Sequence, residues 1–166
     1  MKTTFLFFTS LLMALLISCG GTEKKKEKGF SYEKKTATET KAKSTSEKLP
    51  ASQKVDLSNK GIGPITSINL PATIDEDLVA QGADVYKKMC TACHRPNKKF
   101  IGPAPTEILK RRSPEWVMNM ILNPEEMTQK DPLAKELLIE FNGSPMANQN
   151  LSKDEARAVL EYFRTL

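Results

Sequence analysis

Apolar positions recur at helical spacing in four segments of the C-terminal part of the chain. The first segment follows Thr73-Ile74-Asp75-Glu76, which has the form of a capping box, and is predicted to end near Met89. The other three begin at Ser113-Pro114, Asp131-Pro132 and the capping box Ser152–Glu155. No stretch alternates between apolar and polar residues as a strand would. The pattern therefore predicts an all-α domain of about four helices.

The N-terminal pattern is different, with Met1-Lys2 followed by an apolar run from Phe5 to Ile17. A cationic start before a short apolar run is typical of a secretory signal, and the run is too short for a permanent membrane span. Leu16-Ile17-Ser18-Cys19 resembles the lipobox of bacterial lipoproteins, which implies cleavage after residue 18 and lipidation of Cys19. The alternative is an ordinary secretory signal that contains a chance cysteine.

Residues 19–70 are rich in Lys, Glu, Thr and Ser, and few large apolar residues occur before Leu49. Such a composition buries too little surface to offset the entropy of ordering, so we expect a mostly disordered tether. A flexible chain of this length spans roughly 40 Å. Within it, Val55 to Ile68 is the one part that we expect to lie as an arm on the domain. The folded domain is predicted to cover residues 71–166.

The net charge of +5 is concentrated in the tether, where residues 23–48 contain nine Lys and five Glu. Residues 71–166 contain thirteen Lys or Arg and fourteen Asp or Glu, so the predicted domain is close to neutral. This distribution favours a tether near an anionic membrane surface over a nucleic-acid-binding domain. We therefore exclude nucleic acid as a partner.

Cys90-Thr91-Ala92-Cys93-His94 is the motif that carries chemistry. The C-x-x-C-H spacing indicates attachment of a c-type haem, because two thiols on one helical turn can each bond a vinyl group while the histidine binds the iron. A redox dithiol would need a βαβ context, which the pattern lacks. A zinc site would need further Cys or His ligands, and His94 is the only histidine. We therefore predict one covalent haem c held by Cys90, Cys93 and His94.

A second axial ligand on the iron is expected from one of the methionines, because His/Met ligation is the pattern of electron-transfer cytochromes c. Met146 lies in the turn-rich segment Asn142–Ala147, before the last predicted helix, where a loop can bring a thioether to the iron. Met118 and Met120 are expected in the core. Met127, in a polar segment between two prolines, remains the alternative ligand.

With these motifs in place, residues 72–166 resemble a class I cytochrome c domain, and the resemblance implies that fold. Gly82 and Tyr86 match the small and aromatic positions of the family's first helix, and residues 159–163 match its last helix. Gly102-Pro103 resembles the loop whose proline carbonyl accepts a hydrogen bond from the proximal imidazole. Pro145-Met146 resembles the axial methionine, which implies His94 and Met146 as the two iron ligands.

The roles of Trp116 and of the cations near the motif are left open. Trp116 either donates a hydrogen bond to a haem propionate, as a tryptophan does in related domains, or fills the core. Five cations near the motif are expected either to steer docking onto an acidic partner or to be scattered, solvated side chains: Lys87, Lys88, Arg95, Lys98 and Lys99.

The function that these patterns indicate is a monomeric, lipid-anchored electron carrier on the periplasmic side of a bacterial membrane, not an enzyme. Its partners would be a quinol-oxidising complex or other donor, and a terminal reductase or oxidase as acceptor. The segment from Asn142 to Leu166 resembles small lipoprotein cytochromes found with nitrous oxide reductases. Two alternatives stay open: a haem-based ligand sensor or small haem enzyme in which Met146 is displaceable, and a structural or assembly lipoprotein.

Overall fold

A computed structural model describes residues 49–166. The predicted signal segment, Cys19 and the tether up to residue 48 lie outside the described residues. Five α-helices and one short 3-10 helix follow one another, with no strand in the described part. Their bounds are α1 Glu76–Met89, the 3-10 helix Ile108–Lys110, α2 Pro114–Leu122, α3 Pro124–Lys130, α4 Pro132–Glu140 and α5 Lys153–Phe163. Nowhere between residues 49 and 166 does a helix have the length and apolar character needed to cross a membrane.

Side-chain caps define where the helices begin. Ser113, Asp131 and Ser152 each accept a hydrogen bond from a backbone N–H of the first turn that follows, so these three helices begin where the sequence predicts. The predicted Thr73 cap is wrong, because Asp75 caps α1 and its carboxylate accepts from the N–H groups of Asp77 and Leu78. A carboxylate two residues later in the chain therefore replaces the capping box at this helix start.

Helices α1 and α5 cross in direct backbone contact at Gly82. A Cβ atom at this position would lie 1.9 Å from the carbonyl oxygen of Ala158, so only glycine allows the two helices to approach this closely. Beside the crossing, the Tyr86 ring lies 5.4 Å from the Tyr162 ring and 5.8 Å from the Phe163 ring, centroid to centroid. The crossing that the resemblance implied is confirmed.

Helix α2 is the central element of the core, since most of its residues are buried. Trp116, Val117 and Met118 pack in one apolar cluster with Val159 and Leu160 of α5. Helix α3 was not predicted, because its sequence looks polar apart from Met127. Met127 and Pro124 are both fully buried, so two apolar side chains attach this short helix to the core.

Residues 49–70 form an arm that packs on α2 and α3. Asn119 of α2 donates to the carbonyl oxygens of Lys60 (2.9 Å) and Ile65 (2.8 Å). The buried Arg112 guanidinium donates to the carbonyl oxygens of Ala51 (2.6 Å) and Lys54. Ile62, Ile65, Ile68 and Leu70 pack against the core cluster. The packed chain thus begins well before the predicted boundary at residue 71, and the arm expected at 55–68 is a fixed part of the domain.

Glu161 is a fully buried carboxylate that connects α5 to the start of α1. It accepts from Arg164 at 2.6 Å, from Arg157 at 2.5 Å and from the N–H of Asp75 at 3.0 Å. Burial by itself would raise the pKa of Glu161, but these hydrogen bonds and the two guanidinium charges hold it below its ordinary value of 4.5. Arg164 also donates to the Pro71 carbonyl at 2.7 Å, which fixes the chain that enters α1.

We expect Glu161→Gln to lower the free energy of unfolding by about 2–3 kcal/mol, because two arginines lose their buried partner. Since the pKa of Glu161 is lowered in the folded state, its contribution is present above pH 4.5 and is lost as the pH falls through the folded value. When the pH is lowered from about 6 to about 3, the free energy of unfolding measured in urea should therefore fall less in the variant than in the parent.

Glu125→Gln is the matched control, because Glu125 is exposed and its carboxylate has no ion-pair partner among the described residues. Its effect should stay below about 0.5 kcal/mol. Equal effects of the two substitutions would contradict the role given to Glu161.

Candidate functional site

The side chains predicted to hold haem line one apolar cavity. Its empty space, including the part open to solvent, is about 790 Å³. The walls combine the end of α1, the loop after it, α4 and the loop before α5. The lining residues with candidate roles are Cys90, Cys93, His94, Pro103 and Met146. The structure therefore brings together four of the side chains predicted to hold haem, and the proline predicted to support one of them.

The C-x-x-C-H motif forms one turn at the end of α1. The backbone N–H groups of Cys93 and His94 both donate to the carbonyl oxygen of Cys90, at 3.1 and 2.9 Å. This turn places both thiols on the cavity wall, with Cys93 exposed and Cys90 half-buried. Burial raises the pKa of the Cys90 thiol to about 11, and the neighbouring Cys93 adds to the shift.

The His94 imidazole is oriented by the loop that follows. Its Nδ1 lies 2.8 Å from the carbonyl oxygen of Pro103, and because a carbonyl only accepts, Nδ1 must carry the proton. This leaves Nε2 as the nitrogen that can bind a metal. A Cβ atom at Gly102 would lie 2.5 Å from Cε1 of His94, so the ring packs directly on the glycine backbone. The role predicted for Pro103 matches this geometry.

Among the methionines, the structure separates the two candidate ligands. Met146 lines the cavity, whereas Met127 is fully buried outside its lining, and its Sδ accepts from the N–H of Ile62 at 2.9 Å. The sulfur of Met127, the alternative ligand, is therefore already engaged by the backbone of the arm. Met120 packs against the core cluster, as expected, and both Met89 and Met120 also line the cavity.

Trp116 belongs to the core and not to the cavity. It is buried, it is absent from the cavity lining, and its indole N–H donates to the Asp131 carboxylate at 3.2 Å. That carboxylate also accepts from Asn59 of the arm at 2.6 Å. The propionate contact is therefore not supported, because the indole donor is already used between α2, α4 and the arm.

The five cations near the motif do not form a uniform set. Lys88 pairs with Asp84 at 2.5 Å, and Arg95 lies over the Phe100 ring while it donates to the Thr91 carbonyl. Lys99 lies over the ring of Phe141. Lys87 and Lys98 are exposed and have no side-chain partner within residues 49–166. Only these two lysines match the expectation of free, solvated charges.

Further lining residues were not predicted from the sequence. They come from α3, α4 and the loop that carries Met146: Thr128, Leu137, Leu138, Phe141, Ser144 and Gln149. The one available signal was the apolar character of α4, in which Leu137 follows Leu133, and Leu138 follows Ala134, by four residues. No local pattern indicates which of its faces meets the cavity.

These residues fit a covalently attached haem. Two thiols one turn apart, an imidazole with Nε2 available and a thioether surround one apolar space, which is the donor set of a c-type haem protein. In the described part of the chain, no group of three or more His, Cys, Asp or Glu side chains is arranged to hold a metal ion. The fold and the site thus define a helical protein that binds haem through the C-x-x-C-H motif.

Comparisons with known proteins agree with this class. The family model described as Cytochrome c matches residues 79–166. The chain belongs to the cytochrome c family, and it carries covalently bound haem c with its iron. No curated protein sequence matches the chain significantly.

Solved structures resemble both the fold and the sequence. The chain is similar to a cytochrome c from Rhodothermus marinus at 40% identity and a TM-score of 0.61, covering 70% of this chain and 92% of that chain. An engineered cytochrome c from the same organism, Rma TDE, matches at 40% identity and a TM-score of 0.60, with 70% and 93% covered. The engineered protein bound to a carbene intermediate matches at 40% identity and a TM-score of 0.58, with the same coverage. Residues 79–166 make up less than 70% of the chain. The similarity to the solved structures therefore extends into the chain before Val79.

Proposed function

We propose that this chain is a lipid-anchored electron carrier on the periplasmic side of a bacterial membrane, with His94 and Met146 as the axial ligands of its haem iron. Membership of the cytochrome c family supports a haem electron carrier. The observation that carries the ligation is the meeting of His94, Met146 and both motif cysteines at one cavity, with His94 held by the Pro103 carbonyl.

The chain's residues perform three tasks in this function. Cys90 and Cys93 keep the haem attached, so the iron can change oxidation state without loss of the cofactor. Pro103 holds the proton of His94 at Nδ1 and increases the basicity of the ligating nitrogen. The apolar walls around Leu137 and Phe141 exclude water, which favours an iron that changes charge with little rearrangement. When bound, the haem supplies the one-electron couple.

The proposed tether lies in the sequence before the packed domain. Cys19 is proposed as the lipidated residue, and the basic segment up to residue 48 as the link to the membrane surface. The proposed donor is a quinol-oxidising complex, and the proposed acceptor is a terminal reductase, such as a nitrous oxide reductase, or an oxidase. Exposed Lys87 and Lys98 are the side chains best placed to attract an acidic partner.

A test compares the parent with Cys19→Ser in cells that mature c-type haems. The parent's haem should be found in the membrane fraction and should be oxidised by membranes that hold a terminal reductase or oxidase. The Cys19→Ser protein, which lacks the proposed lipid, should be released as a coloured protein of unchanged spectrum. Membrane association that persists in this variant would contradict the anchor, and a parent that these membranes never oxidise would contradict the carrier role.

A second candidate is a haem-based ligand sensor or small haem enzyme. It is favoured by the position of Met146, which is only half-buried in a loop with mostly exposed neighbours. The engineered relative bound to a carbene intermediate shows that a similar protein can take up a ligand. Rapid stoichiometric binding of carbon monoxide to the native ferrous protein would favour this function over electron transfer.

A further inference from the structure

Lys99 differs from the other lysines near the motif because it reaches across to another element. Its Nζ lies 4.5 Å from the centroid of the Phe141 ring and 3.5 Å from the backbone oxygen of Glu140. Lys99 belongs to the loop after the haem-attachment motif, whereas Glu140 and Phe141 end helix α4. A cation above an aromatic face is attracted by the ring, and the carbonyl at a helix C-terminus adds a second favourable contact.

The two segments that Lys99 joins form different walls of the haem cavity. The Lys99 loop continues directly into the imidazole side, where the N–H of Gly102 donates to the Cys93 carbonyl at 2.8 Å and Gly102 itself packs on His94. Phe141 lines the cavity and is only 5% exposed. The backbone oxygen of Phe141 accepts from the N–H of Ser144 at 3.1 Å, in the turn that leads to Met146.

The end of α4 is also held by the arm. The Glu140 carboxylate accepts from the backbone N–H of Ser52 at 2.8 Å and from its hydroxyl at 2.6 Å. The arm therefore fixes the side chain of Glu140, while Lys99 contacts its backbone and the next ring. Lys99 is therefore a contact that joins the end of α4 to the haem-attachment loop.

We propose that Lys99, Glu140 and Phe141 form a latch that holds the methionine side of the cavity against the imidazole side and restricts the entry of ligands that compete with Met146. In this latch Lys99 is a positioning residue, since it acts through Phe141 and does not touch the iron. The inference rests on the proposed function, because competition with Met146 presupposes His94/Met146 ligation. It assigns to Lys99 a role different from the steering of a redox partner.

Imidazole binding to the ferric holoprotein tests the latch, because imidazole must displace Met146 to reach the iron. Absorption titrations should give a Kd for imidazole that is about 2- to 5-fold lower in Lys99→Met, the range that corresponds to one exposed cation–π contact. Lys98→Met is the matched control, since it removes the same charge from an exposed neighbour without such a contact, and its Kd should equal that of the parent. Lys99→Arg keeps a cation over the ring and should restore the parental Kd.

The outcomes separate the latch from the ligation on which it rests. A parent whose ferric spectrum lacks methionine ligation overturns both the proposed ligation and the latch. A parent with methionine ligation, combined with an unchanged Kd in Lys99→Met, overturns the latch alone. Equal shifts in Lys99→Met and Lys98→Met would also overturn it, because they would show an effect of charge and not of the contact with Phe141.

Discussion

Gly82→Ala should destabilise the domain by more than about 3 kcal/mol, because its Cβ atom would overlap the backbone of α5. The added carbon would lie 1.9 Å from the Ala158 carbonyl oxygen and 2.4 Å from its carbonyl carbon. No side-chain rotation relieves a clash with backbone, so α1 and α5 would have to separate. That movement would also disturb the packing of Tyr86 on Tyr162 and Phe163.

Urea unfolding of the haem-loaded protein, followed by circular dichroism, measures this effect. Gly143→Ala is the matched control: Gly143 has a positive φ of 70°, but an added Cβ atom would meet nothing within 4 Å. Its cost should be about 1 kcal/mol, from backbone strain alone. A Gly82→Ala protein as stable as the Gly143→Ala protein would show that the helices do not cross at Gly82.

Met146→Ala should lower the reduction potential by on the order of 100 mV or more, since a thioether ligand favours the ferrous state. The same substitution should open the iron to carbon monoxide, which would then bind rapidly and stoichiometrically. The structure supports Met146 over Met127, because Met127 lies outside the cavity lining and accepts a hydrogen bond from the arm.

Met120→Leu and Met127→Leu are the matched controls for this prediction. Met120 lines the same cavity and, like Met89, could compete with Met146, whereas Met127 packs in the core. Both variants should keep the parental potential and remain closed to carbon monoxide. A parental potential in Met146→Ala, together with a lowered one in Met120→Leu, would transfer the ligand role to Met120.

Local sequence signals predicted the features that depend on neighbouring residues. The C-x-x-C-H turn, the caps at Ser113, Asp131 and Ser152, and the all-α fold each follow from short-range chemistry and apolar spacing. The start of α1 was misassigned because Thr73 and Asp75 both suit a cap, and the Glu161 carboxylate that binds the Asp75 N–H is distant in sequence.

Features that depend on distant residues could not be predicted in this way. The order of the arm depends on its isoleucines, which pack on the core, and on Asn119 and Arg112, which satisfy its backbone groups from far along the chain. Trp116 could not be assigned without Asp131, its hydrogen-bond acceptor. The contact of Lys99 with the Phe141 ring joins two segments that are distant in sequence. In each case the partner is fixed by the tertiary fold.

The attachment of haem to Cys90 and Cys93 is tested most directly by extraction from the purified mature protein. Oxidised and reduced spectra should first show a low-spin haem, and acid–acetone treatment should leave the colour with the polypeptide. Peptide mass analysis should place the added haem on the segment that contains both cysteines, and the Cys90→Ala, Cys93→Ala double variant should lose its colour on extraction. A colourless parent, or one that holds zinc at this pair, would contradict the account.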